Sequence, residues 1–383
     1  MTNPAATAPR RYDTPLLVAA VLLLAYGLVM VWSASAFVAA EETENPYHFV
    51  VRQLIAIGVG LPLAVGAMLL PYRQLDRYAT HFYIFSLALL PAVWLPGLGH
   101  SANGATRWFG VGGFNFQPAE LAKFAVLVAL ASFLHKRRAE LHDWKNVLIP
   151  SVLMVAAPLG FIIAQPDFGS TAIIALLCGV MVFFAGLRLR WMVTGGTVLT
   201  SLLGLVMVLE PYRRERLTSF LDPFANCAGS GYQVCESLLA LHHGGLWGQG
   251  LGDGVAKLLY LPEPYNDFIA AVLGEELGIL GFAVLTGLYA FVAWRGMEIA
   301  RNARDMFGSL LASTFTVMIV GQACLNLGVV LGVVPPKGLV LPFVSYGASA
   351  MMVNMAAIGV LLSISAEARQ EEPSAVPSGL AGA

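Results

Sequence analysis

The sequence has 383 residues, of which 57% are hydrophobic and 12% charged, with mean hydropathy +0.72 and net charge −1. A soluble domain carries about 25% charged residues, so this composition excludes a disordered chain, a nucleic-acid binder and an ordinary cytosolic enzyme, and so small a net charge steers no anionic polymer onto it. The apolar runs are long and unbroken, unlike the ~10-residue alternating segments of a membrane barrel, and they point to an all-α polytopic membrane protein.

A span needs ~20 apolar residues, and ten segments come close to that requirement: 14–37, 50–70, 79–96, 118–134, 147–164, 169–187, 191–210, 271–294, 307–332 and 349–366. The first follows Arg10 and Arg11 and lacks a small-residue cleavage site, so it reads as a retained helix behind a short tail, 1–13. The membrane domain then covers 14–366, and 367–383, rich in Ser, Pro, Gly and Ala, reads as a disordered tail. With the N-terminus in the cytoplasm, the inner loops collect Arg10, Arg11, Arg73, Arg77, Lys136, Arg137, Arg138, Lys145 and the later arginines up to Arg369, whereas the outer loops hold only Arg107, Arg213, Arg214, Arg216, Lys257 and Lys337. Positive charge stays inside, so both tails are expected in the cytoplasm. One outer connection, 211–270 between helices 7 and 8, far exceeds the usual loop of about 4–6 residues and carries enough apolar side chains, Trp247 and Leu258 among them, to pack on the membrane face.

Cys178 and Cys324 fall in spans as small apolar fillers. Cys227 and Cys235 share the outer loop, where their spacing permits a disulfide without requiring one. His242 and His243 have no partners at ligand intervals, and no metal cluster has convincing spacing.

Charges beside apolar runs need a reason, because one near the bilayer centre costs at least ~2.5–3.5 kcal/mol. In 117–123 (Gln-Pro-Ala-Glu-Leu-Ala-Lys) Pro118 suits a helix start, Glu120 falls in the first turn, and Lys123 lies three residues on, on the same face. The pair either fixes the helix or lines a polar cavity for a charged headgroup. Arg107 beside Trp108 is either an interfacial anchor or a phosphate contact. Asp167, in a tight turn, suits an N-cap. Glu263 and Asp267 lie in Pro-Glu-Pro-Tyr-Asn-Asp-Phe at the entry to the eighth span. A carboxylate there is either another cap or, with one side desolvated, a general base. Glu275 and Glu276 lie about two turns deeper, in structural positions, and Arg52 falls within the second span. The run 333–347, with Pro335, Pro336, Lys337, Gly338, Pro342, Ser345 and Gly347, makes a poor helix. Irregular backbone at membrane depth is tolerated where it lines a wet cavity, which makes Lys337 a candidate anion contact.

These stretches, together with Arg-Arg-Glu-Arg-Leu-Thr-Ser-Phe-Leu-Asp-Pro at 213–223, resemble in order and spacing the SEDS family of polytopic peptidoglycan polymerases and shape or division proteins of bacteria. The likeness covers the chain from the first span to about residue 366. Pro-Lys-Gly-Leu before Leu341 resembles the division-type members more than the elongation-type ones, while His242, His243, Cys235 and Ala348 depart from the usual pattern. The resemblance implies polymerisation of lipid II at the outer face of the bacterial inner membrane, with Asp267 catalytic. It further implies Arg107, Lys337, Glu120, Lys123 and Ser345 around the substrate, and Arg52, Asp167, Glu263 and Glu275 in supporting positions. A divalent cation, magnesium or manganese, is expected mainly on the substrate pyrophosphate. The implied partners are a class B penicillin-binding protein that crosslinks the new strand and other membrane proteins of the division or elongation machinery. Gly321, Gly328 and Gly332 of the ninth span would let a partner helix approach. The readings from other classes are a lipid II flippase and a non-catalytic scaffold.

Overall fold

The computed structural model describes residues 11–369, apart from 103–104, 112–113, 142, 189, 192, 198–200, 202–203, 205–223, 225–226, 228, 230, 259–260 and 337. In chain order the elements are α1 (Thr14–Thr43), α2 (His48–Leu69) and α3 (Arg73–Ala92), then an antiparallel sheet of β1 (Gly99–Ala102), β2 (Ala105–Val111) and β3 (Phe114–Phe116). They continue with α4 (Pro118–Lys136), α5 (Ile149–Ala164), α6 (Phe168–Phe184), α7 (Tyr232–Gly244), α8 (Ile269–Arg301), α9 (Met306–Val330) and α10 (Ala348–Arg369). Nine of the ten predicted segments coincide with helices; most of the seventh, 191–210, lies outside the described residues, as do 1–10, 213–223, Lys337 and 370–383. Among the described residues seven helical stretches are long and apolar enough to cross a membrane, namely α1, α2, α4, α5 with the helical turn before it (Lys145–Ala164), α8, α9 and α10, and α6 is apolar but has 17 residues.

Short polar side chains set the helix starts. Asp13 accepts from Leu16 N (3.0 Å) at α1, Asp167 from Ser170 N (3.0 Å) at α6 and Asp305 from Gly308 N (2.7 Å) at α9, each satisfying an N–H that the first turn leaves open. The predicted third span starts too late because α3 extends back to Arg73, where Arg73 pairs with Asp305 and Asp76 with Lys136. The sheet is an addition to the all-α expectation. Its register, with His100 opposite Trp108 and Phe109 opposite Phe116, follows from aromatic and β-branched residues that favour extended backbone. At its far end α10 runs on to Arg369, past the predicted limit of 366, because Arg369 reaches the Asp13 carboxylate at 2.9 Å.

α4 and α10 are the most enclosed spans, and α2 and α8 the most peripheral. α10 lies against α2 where Gly359 has no side chain; a Cβ there would come within 2.2 Å of the Ala64 carbonyl. Gly328 and Gly332 of the ninth segment face Val334, and Val234 and Leu238, of this chain, so those two positions are filled from within.

α8 is broken at Gly278 (φ +65°, ψ −166°), where a Cβ would stand 2.4 Å from Gly248 N. The chain before and inside the long outer connection fills the break. Gln249 N donates to Glu275 O (2.9 Å), Gly250 N to Glu276 O (3.0 Å), and Ile279 N to Gly245 O (3.0 Å). The two carboxylates complete the junction: Glu275 accepts from Val255 N and Ala256 N at 3.1 and 3.0 Å, and Glu276 pairs with Lys257 at 2.6 Å and accepts from Ser33 of α1. Lys257, counted among the outer-loop cations, is thus a buried partner of α8. Cys227 and Cys235 are joined by a disulfide at the start of α7.

Candidate active site

Four helices begin around one cavity. Gln117, Ala119 and Glu120 at the start of α4, Asp167 and Ser170 at α6, Asn266 and Asp267 just before α8, and Ala348, Ser349 and Ala350 at α10 all line it. Helix starts carry the positive end of the peptide dipoles and unspent N–H groups, so their convergence favours an anion. The cavity measures about 380 Å³, inside the roughly 300–1,000 Å³ range of small-molecule sites.

Arg52, from α2, and Arg107, from β2, add positive charge on its walls. Neither pairs with a carboxylate among the described residues. Arg107 lies over the Trp108 ring at 5.7 Å, and its buried Nε has no hydrogen-bond partner among the described residues. A buried guanidinium N–H left open is costly, and an incoming oxygen would satisfy it. Arg52, read from the sequence only as a supporting residue, thus stands on the cavity wall itself.

Lys123 is almost fully buried beneath the wall. It donates to Glu120 (2.7 Å) and to Gln322 Oε1 (3.3 Å), and Gln322 in turn donates to Val340 O (3.0 Å). The Glu120–Lys123 pair therefore both lines the cavity and braces the loop after Gly338. Asp167 caps α6 and also accepts from Gln117 Nε2 at 3.0 Å, tying two of the helix starts together.

Asp267 is half-buried, and its carboxylate faces Gly338, where a Cβ would sit 3.0 Å from Oδ2. Its backbone is held from two sides. Asn326 Nδ2 of α9 donates to Asp267 O (2.8 Å) and to Leu339 O, and the Ser345 hydroxyl donates to Asn266 O (2.6 Å) while accepting from Leu341 N (2.9 Å). Ser345 is buried and fully engaged in this brace and does not line the cavity, which departs from its expected place around the substrate: its hydroxyl is spent on backbone. Tyr346 N donates to Tyr265 O (3.0 Å), and the Tyr265 ring stacks on Phe49 of α2 at 4.2 Å. Burial, reinforced by the nearby charges of Glu263 and Glu42, pushes the Tyr265 phenol well above its ordinary value, so it stays neutral. Glu263 stands at the exposed rim and accepts from Asn266 Nδ2 at 3.1 Å. Glu275 lies behind the site, in the α8 junction. Lys337 falls outside the described residues.

From the sequence, Gln117 is read only as the first residue of the 117–123 run, and Gln322 and Asn326 are not singled out. Gln322 and Asn326 lie four apart on a span, on one helical face, and a pair of amides inside an apolar helix is the signal that would have found them.

The family described as "Cell cycle protein", comprising FtsW, RodA and SpoVE, matches residues 14–370. The chain belongs to this family. It is 44% identical over 365 residues to a probable peptidoglycan glycosyltransferase FtsW of Halothiobacillus neapolitanus, covering 94% of this chain and 87% of that protein. It is 38% identical to stage V sporulation protein E of Bacillus subtilis, covering 93% and 98%. Among solved structures, a chain from a peptidoglycan synthase complex, described as coordinating polymerization and crosslinking, superposes with TM-score 0.77 at 31% identity, covering 94% of this chain and 99% of that one. The rod shape determining protein RodA of Thermus thermophilus gives TM-score 0.68 at 29% identity, covering 94% and 98%. Family membership and the apolar helices together make this an integral membrane protein.

Proposed function

We propose that this chain is a peptidoglycan glycosyltransferase of the FtsW type that polymerises lipid II at the outer face of the bacterial inner membrane. The observation that carries the reading is the meeting of Asp267 with Arg52, Arg107 and four helix starts in one cavity. The acceptor sugar hydroxyl gives its proton to the Asp267 carboxylate. Its oxygen then bonds to the donor's anomeric carbon, and the bond to the lipid pyrophosphate breaks, that group leaving with the electron pair. A positioned base contributes roughly 10²–10⁴-fold. Arg52, Arg107 and the helix starts stabilise the negative charge of the departing pyrophosphate.

The described residues contain no group of three or more His, Cys, Asp or Glu side chains able to hold a metal. Glu120 and Asp167 are spent on Lys123, Gln117 and Ser170. These donors do not fit a protein-held cation, so magnesium or manganese would arrive on the pyrophosphate, and no step here depends on it.

The ends of the bundle support the orientation. Arg73, Lys136, Arg295 and Arg369 gather at the end opposite the cavity, and positive charge stays cytoplasmic, which supports a reading with both tails inside and the cavity outside. The similar chain in the synthase complex belongs to an assembly described as coordinating polymerization and crosslinking, so polymerisation is assigned to this chain and crosslinking to a class B penicillin-binding protein partner. The test is the purified chain with that partner and lipid II: formation of glycan polymer supports the reading, and lipid II crossing liposome membranes without polymer would replace it with a flippase.

A further inference from the structure

The segment 245–251 lies between α7 and α8, in the connection read from sequence as external, yet its height along the bundle is that of the hydrocarbon. α1 and the unbroken part of α8 give this together. At one end Asp13 of α1 pairs with Arg295 of α8. At the other end Ser33 of α1 bonds to Glu276 of α8. From Asp13 to Ser33 along α1 the rise is about 30 Å at 1.5 Å per residue, and from Arg295 back to Ile279 along the unbroken part of α8 it is about 24 Å. The α1 distance equals one hydrocarbon thickness, about 30 Å. The Ser33–Glu276–Lys257 cluster therefore marks the boundary on the cavity side.

The bonds at the α8 break carry 245–251 past that boundary. Ile279 N and Leu280 N donate to the carbonyls of Gly245 and Leu246, and these two residues, roughly 23–24 Å from Arg295 along the unbroken part of α8, fall about 6 Å inside that boundary. Ile279 and Leu280 are themselves exposed, so they face lipid, and Leu246 (62% exposed), Trp247 (80%) and Leu251 extend the same apolar surface. The run from Gly244 to Gly252 holds no charged residue. Irregular backbone enters hydrocarbon only when its polar groups are bonded by protein, and Gly245 O, Leu246 O, Gly248 N, Gln249 N and Gly250 N all are.

We propose that 245–251 is a re-entrant wedge that inserts Leu246, Trp247 and Leu251 into the acyl chains of the leaflet on the cavity side, just beneath its headgroups. The occupant of this surface is lipid: the patch continues the lipid-facing side of α8, carries no charge for a protein partner to match, and presents a tryptophan at the depth where indole rings concentrate. The anchor joins the α8 junction at the end opposite Asp267, so the bilayer itself fixes the height of the cavity entrance.

The full chain and its Trp247→Phe variant, each in phosphatidylcholine vesicles, test this by the difference between their tryptophan emissions. The Trp247 contribution is expected to be blue-shifted, largely lost when the lipids are brominated near the headgroup end of the acyl chain, and unaffected by aqueous iodide. Quenching by iodide without quenching by bromine would overturn the proposal. Protection from both quenchers would show that protein, whether a second copy or another chain, covers the surface, and would overturn it equally.

Discussion

Removing Lys257 tests the junction on which α8 depends. Lys257 and Glu276 are both nearly inaccessible and 2.6 Å apart, and the remaining ammonium donors go to Gly252 O and Ser33 Oγ. In Lys257→Met the Glu276 carboxylate keeps only the Ser33 hydroxyl. Breaking one side of a buried pair costs about 3–5 kcal/mol, because the orphaned charge stays desolvated, whereas replacing both partners with apolar or neutral groups is often close to neutral. The single variant should therefore lose most of that amount, and Lys257→Met with Glu276→Gln should regain the greater part. The assay is reversible unfolding in mixed micelles, followed by helical circular dichroism across the double-mutant cycle. A single variant within about 0.5 kcal/mol of the parent, the size of an ordinary surface change, would refute the claim that this pair is buried and coupled.

Gly278→Ala should destabilise more than alanine at Gly287, which lies in open space on the same helix; it meets both the positive φ and the Gly248 backbone, and the same unfolding assay reads the difference. Asn326→Leu leaves the Asp267 and Leu339 carbonyls without their donor. Lost hydrogen bonds of about 1–3 kcal/mol should appear as a polymerisation rate lowered by one to two orders of magnitude with lipid II binding little changed. Arg107→Lys keeps the charge but loses the open Nε–H and the planar fork, so lipid II should bind about tenfold more weakly, in line with roughly 1.5–3 kcal/mol for a hydrogen bond to a charged group, measured by titration with the lipid.

Much of the cavity's charged lining is legible in the sequence because charge is expensive beside apolar runs. Asp267, Glu120, Lys123, Arg107 and Asp167 stand out against hydrophobic neighbours, and all line the cavity. Arg52 was visible on the same grounds, but its direction depends on how α2 rotates against α10, which one helix alone does not encode. Lys257 resembled a loop cation because its partner Glu276 sits nineteen residues away, across a break that only the Gly278 backbone reveals. Ser345 shows the converse: within a functional motif, a hydroxyl can be spent wholly on backbone. The small sheet and α7 were missed because both lie in short polar-apolar mixtures between spans, where helix-length apolar patterning is silent.

The most direct test concerns the Asp267 carboxylate. The Asp267→Asn variant, assembled with its partner and given lipid II, should bind the lipid with the parent's affinity and yield no glycan polymer, since the amide keeps the shape and cannot take the proton. Polymer formed at the parent's rate by that variant would contradict the account.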